Sequence, residues 1–215
     1  MMPGAVIIGA GPGIGRSVAR RFAREGMPIA LVARTRESLE AVRLKEGALT
    51  YTADAADETA LRAALDAATA ELGTPDVVVY NAAIVRADTV AEATVRAHLD
   101  AWAVDVVGAL IAAAHVGPAM ARRGSGSFLV TGGMPTPKAG YVSLSLGKSG
   151  VRTLVELLDQ EYGPSGVHVA SVTVDGPVAP GTGFDPDDIA EHYWRLHTQP
   201  RGEWEREVLH SGLSV

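Results

Sequence analysis

Val6-Ile7-Ile8-Gly9-Ala10-Gly11-Pro12-Gly13-Ile14-Gly15 sits at the start of the chain, and the rest reads outward from it. An apolar run breaks into spaced glycines, and residues 16–25 then read as a helix. A strand, a glycine turn and a helix N-terminus together make an anion site. The first-turn N–H groups lack partners, the helix dipole favours negative charge, and missing side chains let an anion approach. The plainer alternative is a tight strand-to-helix turn that needs glycine for backbone reasons alone. The spacing is G-x-x-x-G-x-G through Gly9, Gly13 and Gly15. The G-x-G-x-x-G form is absent, because its last glycine would fall on Ile14 or Arg16.

Beyond this turn, strand and helix signals alternate to the C-terminus. Strands are expected at 5–8, 28–33, 48–52, 76–80, 127–131, 167–174 and, at a sheet edge, 204–209. Val77-Val78-Val79 is the continuous apolar run of a strand covered on both faces. Helices are expected at 13–25, at 35–45 with Thr35 as cap, at 57–72 with Asp57 as cap, through 91–123 as one short and one long helix, and at 143–162. This alternation predicts an α/β fold: a parallel, right-handed, doubly wound sheet of about seven strands with helices on both faces. One domain spans 1–215. Only 180–199 falls outside the pattern, Gly- and Pro-rich first and then Asp185-Pro186-Asp187-Asp188 ahead of a short helix, and it is expected to be a substrate lid.

Composition bounds the function. At 215 residues with 47% hydrophobic and 20% charged side chains, the chain is of globular type with a sizeable core. A formal charge of −6 with no basic block argues against nucleic acid as a partner. No apolar run in the sequence is read as a membrane span, and the N-terminus enters a strand without a signal-peptide pattern. Zero cysteines exclude disulfides and thiolate chemistry and fit a cytoplasmic location. His98, His115, His168, His192, His197 and His210 show no metal-ligand spacing, so no metal is expected. His192 and His197 read as structural or substrate-facing, and Tyr193 and Trp194 as pocket walls or docking residues.

Arg34-Thr35 ends the second strand, about twenty residues beyond the glycines. An acidic residue there would hold the ribose of NAD, whereas an arginine fork suits a 2′-phosphate and points to NADP(H) over NAD(H). The alternative is a surface arginine at a helix start, where its charge opposes the dipole.

With these residues in place, the chain resembles the short-chain dehydrogenase/reductase family over nearly its whole length. The resemblance rests on the glycine spacing at 9, 13 and 15, Asp54 after the third strand, Asn81-Ala82-Ala83 after the fourth, Lys148 in the sixth helix, and Asp175-Gly176-Pro177-Val178 after strand six. It implies a Rossmann-type fold that binds NADP(H) through Gly9, Gly13, Ile14, Gly15, Arg34, Thr35, Asp54, Asn81, Ala82, Ala83, Lys148 and Val178. In the family Asp54 would meet the adenine amino group, and the Val178 backbone the nicotinamide carboxamide. It also implies hydride transfer to or from an unidentified small carbonyl or alcohol, and a homodimer or homotetramer.

The chain departs from the family where the chemistry is done. The family's acid/base tyrosine falls on Leu144, its serine on the glycine end of Val130-Thr131-Gly132-Gly133, and its helix asparagine on Asp105. Lys148 alone remains of that set. Tyr141, seven residues before Lys148, is a candidate replacement, although on a helix it would sit two turns away, roughly 10 Å along the axis, too far to couple directly unless the segment before Leu144 is a loop folding back; otherwise it is an aromatic at the pocket rim. Thr131 offers a hydroxyl near the right strand end. The reading from a different class is a degenerate NADP(H)-binding protein that senses or scaffolds.

Overall fold

The structure, a computed structural model, describes residues 4–42, 44 and 47–212. Its strands are β1 (Ala5–Ile8), β2 (Ile29–Ala33), β3 (Leu49–Thr52), β4 (Val77–Tyr80), β5 (Gly126–Gly133), β6 (Val167–Val174) and β7 (Glu207–His210). They form one seven-stranded sheet in the order β3-β2-β1-β4-β5-β6-β7, with every pair parallel. The helices are α1 (Ile14–Arg24), α2 (Arg36–Ala41), α3 (Glu58–Leu72), α4 (Val95–Trp102), α5 (Gly108–Arg123), α6 (Val142–Tyr162) and α7 (Pro186–Thr198).

Side chains alternate across each strand, so the sheet feeds two cores. Val6, Ile8, Val78, Tyr80, Phe128 and Val130 join α3, α5 and α6 on one face. Ile7, Leu31, Val77, Val79, Leu129 and Val172 join α1 and α7 on the other. That double cover is why Val77-Val78-Val79 reads as an unbroken apolar run. Local signals set the helix starts: Thr35 accepts the Ser38 N–H, Asp57 the Ala60 N–H, and Asp185 the Asp187 N–H ahead of Pro186.

Several boundaries differ from the sequence reading. The second helix stops at Ala41, and the expected end at Lys45 lies outside the described residues. β5 continues to Gly133 because Thr131, Gly132 and Gly133 stay in register with Val172, Thr173 and Val174. A Cβ on Gly132 would collide with Thr173, so the close approach needs glycine. β7 starts late because Trp204 stacks on His168, ring centroids 4.7 Å apart and planes within 4°. Between α4 and α5 the helix widens into a π turn, Ala103–Val107. The buried Tyr80 hydroxyl donates to the Val104 carbonyl inside that turn, and Gly108 leaves it room.

The stretch Val95–Arg123 is, against expectation, long and apolar enough to span a membrane by length and composition, with a mean hydropathy of 1.6 in its most apolar window. Its apolar residues have a nearer use: Ala109, Ala112, Ala113, Val116 and Met120 are buried in the first core.

The lid expected at 180–199 needs a larger correction. Helix α7 lies along α1, with Ile189, Ala190, Tyr193 and Leu196 all 0% exposed. Trp194 meets Phe22 edge-on at 5.4 Å, and Arg21 sits 4.9 Å from its ring. Tyr193 and Trp194 therefore dock the helix, and α7 is a wall of the second core. Ile189→Ala is expected to cost about 2–5 kcal/mol in urea unfolding, as a core truncation does; a helix acting as a detached lid would lose almost nothing.

Candidate functional site

Two cavities open at the C-terminal edge of the sheet, of about 700 and 550 Å³. They share Gly11, Asn81, Ala83 and Val85 and so form one groove. The groove lies where β1 has β2 on one side and β4 on the other, the point at which connections diverge and open α/β sheets leave a crevice.

The glycine turn divides into packed and open positions. Gly9 has φ +83°, and a Cβ there would run into the Ala82 backbone. At Gly15 a Cβ would stand 2.6 Å from the Gly9 carbonyl oxygen. These two glycines close the turn against itself. At Gly11 and Gly13 a Cβ would meet nothing within 4 Å, so that side of the turn is open to a ligand. Gly13 is the N-cap of α1 and supplies no side-chain cap, which leaves first-turn N–H groups for an anion. Ile14 and Gly15 line the larger cavity beside them. A pyrophosphate fits this cradle.

Asn81 ties the turn to the sheet. Its Nδ2 donates to the Gly9 carbonyl at 2.9 Å, and its Oδ1 accepts from Thr131 Oγ1 at 2.8 Å. With that proton committed, Thr131 Oγ1 accepts from the buried Tyr193 hydroxyl at 2.6 Å. Burial pushes the Tyr193 phenol up, which keeps it a neutral donor. The Thr131 hydroxyl, expected as a catalytic group, is thus spent in holding the turn.

The smaller cavity is lined by Arg34, Ser38, Ala53, Asp54, Ala82 and Ala83 among others. Arg34 is exposed and makes no ion pair among the described residues. Asp54 accepts the Ala56 N–H at 2.9 Å and faces this end. Thr35, expected as a ligand contact, lines neither cavity: its hydroxyl accepts the Ser38 N–H at 3.3 Å as a helix cap. Ser38, one turn on, lines the cavity with Arg34, its hydroxyl 3.1 Å from that of Thr35.

The larger cavity is lined by Thr131, Lys138, Tyr141, Leu144, Lys148 and Val178, with Met134 and 174–177 completing its wall. Lys148 is 6% exposed, and its Nζ donates to the Thr131 carbonyl at 2.7 Å. Burial pushes the ammonium below the usual lysine range, and the nearby Asp105 carboxyl opposes that shift. Asp105 hangs from the π turn, 1% exposed, and its Oδ1 accepts the Ile84 N–H at 2.8 Å. Its Oδ2 has no partner among the described residues. Burial pushes this carboxyl up, with Lys148 pulling the other way.

Tyr141 is the N-cap of α6 at φ −142°, ψ 55°, and its carbonyl accepts the first helical bond from the Ser145 N–H at 2.8 Å, so about two helical turns still separate it from Lys148 along the axis. Asp88 pins it there: the Asp88 N–H donates to the Gly140 carbonyl, the Val142 N–H to the Asp88 carbonyl, and the Ser143 N–H and hydroxyl to the Asp88 carboxylate. His98 completes the clamp at 2.9 Å from Ser143 Oγ.

The remaining histidines are structural. His192 pairs with His210, His197 with Ser127, His115 with Asp66, and His168 lies between the Leu196 and Glu205 carbonyls. None of them lines the groove. Val85, Met134 and Lys138 line it without having been singled out. Met134 reaches it through a left-handed backbone, φ 47°, the sole non-glycine case among the described residues. No local pattern announces that conformation at a methionine.

Comparison with known proteins agrees with this geometry. A family model described as short chain dehydrogenase matches residues 4–182. A short-chain dehydrogenase/reductase of Armillaria gallica is 28% identical over 216 residues, 95% of this chain and 79% of that one. The D-threitol dehydrogenase of Mycolicibacterium smegmatis is 28% identical over 176 residues, 79% and 68% of the two chains. Among solved structures, a metagenomic short-chain oxidoreductase in complex with NADP matches with a TM-score of 0.86 at 25% identity, over 96% of each chain.

The chain of hydrogen bonds through Thr131 is open to a direct test. Thr131→Val strands the Tyr193 hydroxyl and the Asn81 carbonyl oxygen, and is expected to cost about 1–3 kcal/mol in urea unfolding, with Thr131→Ser close to wild type.

Proposed function

The chain belongs to the short-chain dehydrogenase family, and from that premise we propose that it moves hydride between NADP(H), in preference to NAD(H), and a small carbonyl or alcohol. The observation that carries the cofactor preference is Arg34: an exposed guanidinium at the smaller cavity, beside Ser38, with no ion pair among the described residues. A guanidinium and a hydroxyl at that distance from the glycine turn suit a ribose 2′-phosphate and offer the ribose diol of NAD no carboxylate.

In this reading Gly11, Gly13 and the α1 N-terminus hold the pyrophosphate, Asp54 meets the adenine end, and Asn81, Ala82 and Ala83 floor the groove. Lys148 and Val178 hold the nicotinamide end. The bound dinucleotide supplies or takes the hydride. The apolar walls at Ile14, Leu144 and Val174 favour a substrate with an apolar body. Tyr141 and Lys148 are the cavity's candidate proton carriers. Val95, Leu99 and Trp102 on α4, with Leu146 and Leu157 on α6, stay exposed, which supports a homodimer or homotetramer. A cytoplasmic place of work fits a chain without cysteine.

NADPH is expected to bind about tenfold or more tighter than NADH in a fluorescence titration, the worth of one or two charge-assisted bonds. Arg34→Ala should level the two. Equal affinities in the wild type would overturn the preference. For the reaction, a panel of aldehydes, ketones and quinones with NADPH should give turnover at 340 nm; tight dinucleotide binding with no turnover on any of them would leave a binding protein instead.

A further inference from the structure

The chain carries sixteen arginines and only three lysines, and two of those lysines, Lys138 and Lys148, line the larger cavity. The two residue types differ in one property that matters there. An arginine keeps its proton under all protein conditions, whereas a lysine gives its proton up when desolvated. A chain that places its positive charge almost entirely on arginine therefore keeps, at the most buried cation of the groove, the one that can release a proton.

The surroundings of Lys148 match that use. Leu144, one turn earlier on α6, is aliphatic and 5% exposed, so no hydroxyl stands over the ammonium from that position. Gly133 faces the lysine stem without a side chain: a Cβ there would lie 3.8 Å from Lys148 Cε. The Thr131 hydroxyl is committed to Asn81 and Tyr193. Nζ donates to a backbone carbonyl at 2.7 Å, which aims the group and leaves its other protons uncommitted among the described residues. Behind it, the Asp105 carboxyl abuts α6 at the residue before Lys148, since a Cβ on Gly147 would come within 2.5 Å of Oδ2.

We propose that Lys148 gives and takes the proton at the substrate oxygen, with Asp105 as the positioning counter-charge behind it. The proposal rests on the oxidoreductase reading above. In reduction, the carbonyl carbon accepts hydride from a reduced nicotinamide dinucleotide and the C=O π pair moves to oxygen. That oxygen takes a proton from the Lys148 ammonium, giving the alcohol, the oxidised dinucleotide and a neutral amine that solvent reprotonates. In oxidation the neutral amine removes the hydroxyl proton. Burial draws the ammonium toward release and Asp105 limits the shift. The other charged or titratable groups facing it are Lys138 and Tyr141 from the segment before α6 and Asp175 after β6, while Arg152 on α6 is turned to the Gly133 and Met134 carbonyls. Reduction should therefore slow as pH rises through the Lys148 titration, and oxidation should speed up.

Three lysines make the test tractable. In the protein labelled with isotopic lysine and free of cofactor, NMR should show three side-chain signals, with Lys148→Met identifying one. The Lys148 signal is expected to titrate below the usual lysine range, and lower still in Asp105→Asn. Lys148→Arg keeps the charge but cannot release a proton. It should still bind NADPH while losing turnover by about 100-fold or more. Lys148 titrating in the usual lysine range, Lys148→Arg retaining turnover, or Tyr141→Phe abolishing it would each overturn the proposal while leaving the oxidoreductase reading in place. A wild type without turnover on the carbonyl panel would overturn that reading and this proposal with it.

Discussion

The side-chain amide of Asn81 bridges the two halves of the groove. Its nitrogen holds the Gly9 carbonyl and its oxygen holds the Thr131 hydroxyl, so a single planar group fixes the ends of β1, β4 and β5 relative to one another. The constraint is needed because the sheet's connections diverge at this point and leave polar backbone at the floor of an open crevice. Gly9 presses against Ala82 and Gly15 against Gly9, and neither contact tolerates a side chain. The turn is thereby shaped before any ligand arrives, which lowers the ordering cost of binding. Tyr193 extends the tie into the second core and makes α7 part of the cofactor site without touching the groove.

Buried charge is placed with the same economy. The Tyr80 hydroxyl donates to the Val104 carbonyl inside the π turn, and Asp105 of the same turn is buried against α6 at Gly147. A lone buried carboxylate would be very costly, and so would a lone buried ammonium. Here each is the other's nearest compensation, although neither is fully satisfied: Oδ2 lacks a partner, and Lys148 is shared between a carbonyl and a diffuse attraction. Incompletely satisfied charge in a cavity wall is poor stabilisation and a good source of movable protons.

The sequence declared the sheet through period and composition: Val77-Val78-Val79 required cover on both faces, and the glycine spacing located the turn. It misled where one signal serves two purposes. Thr35 is a helix cap and a residue after an arginine, and only the fold shows that Ser38, not Thr35, lines the cavity. The Gly- and Pro-rich start of 180–199 suggests a substrate lid, yet the apolar stripe Ile189, Tyr193, Leu196 in the next helix is the mark of a core element. Tyr141 is held at the N-cap of α6 by a clamp from Asp88, more than fifty residues away. Long-range clamps of this kind leave no local trace.

Binding and chemistry are built by different elements that meet at one residue. Thr131 gives its hydroxyl to the turn through Asn81 and its carbonyl to Lys148. The glycine cradle depends on β1, α1 and the end of β4; the reacting end depends on β5, α6 and the π turn. A substitution such as leucine at 144 or glycine at 133 therefore changes what stands near the substrate oxygen without loosening the cradle, since neither side chain supports Gly9 or Asn81. This separation lets a chain keep its dinucleotide fold while the proton passes to another group. In the present cavity, the group buried deepest, aimed by a backbone carbonyl and backed by a carboxyl, is the Lys148 ammonium.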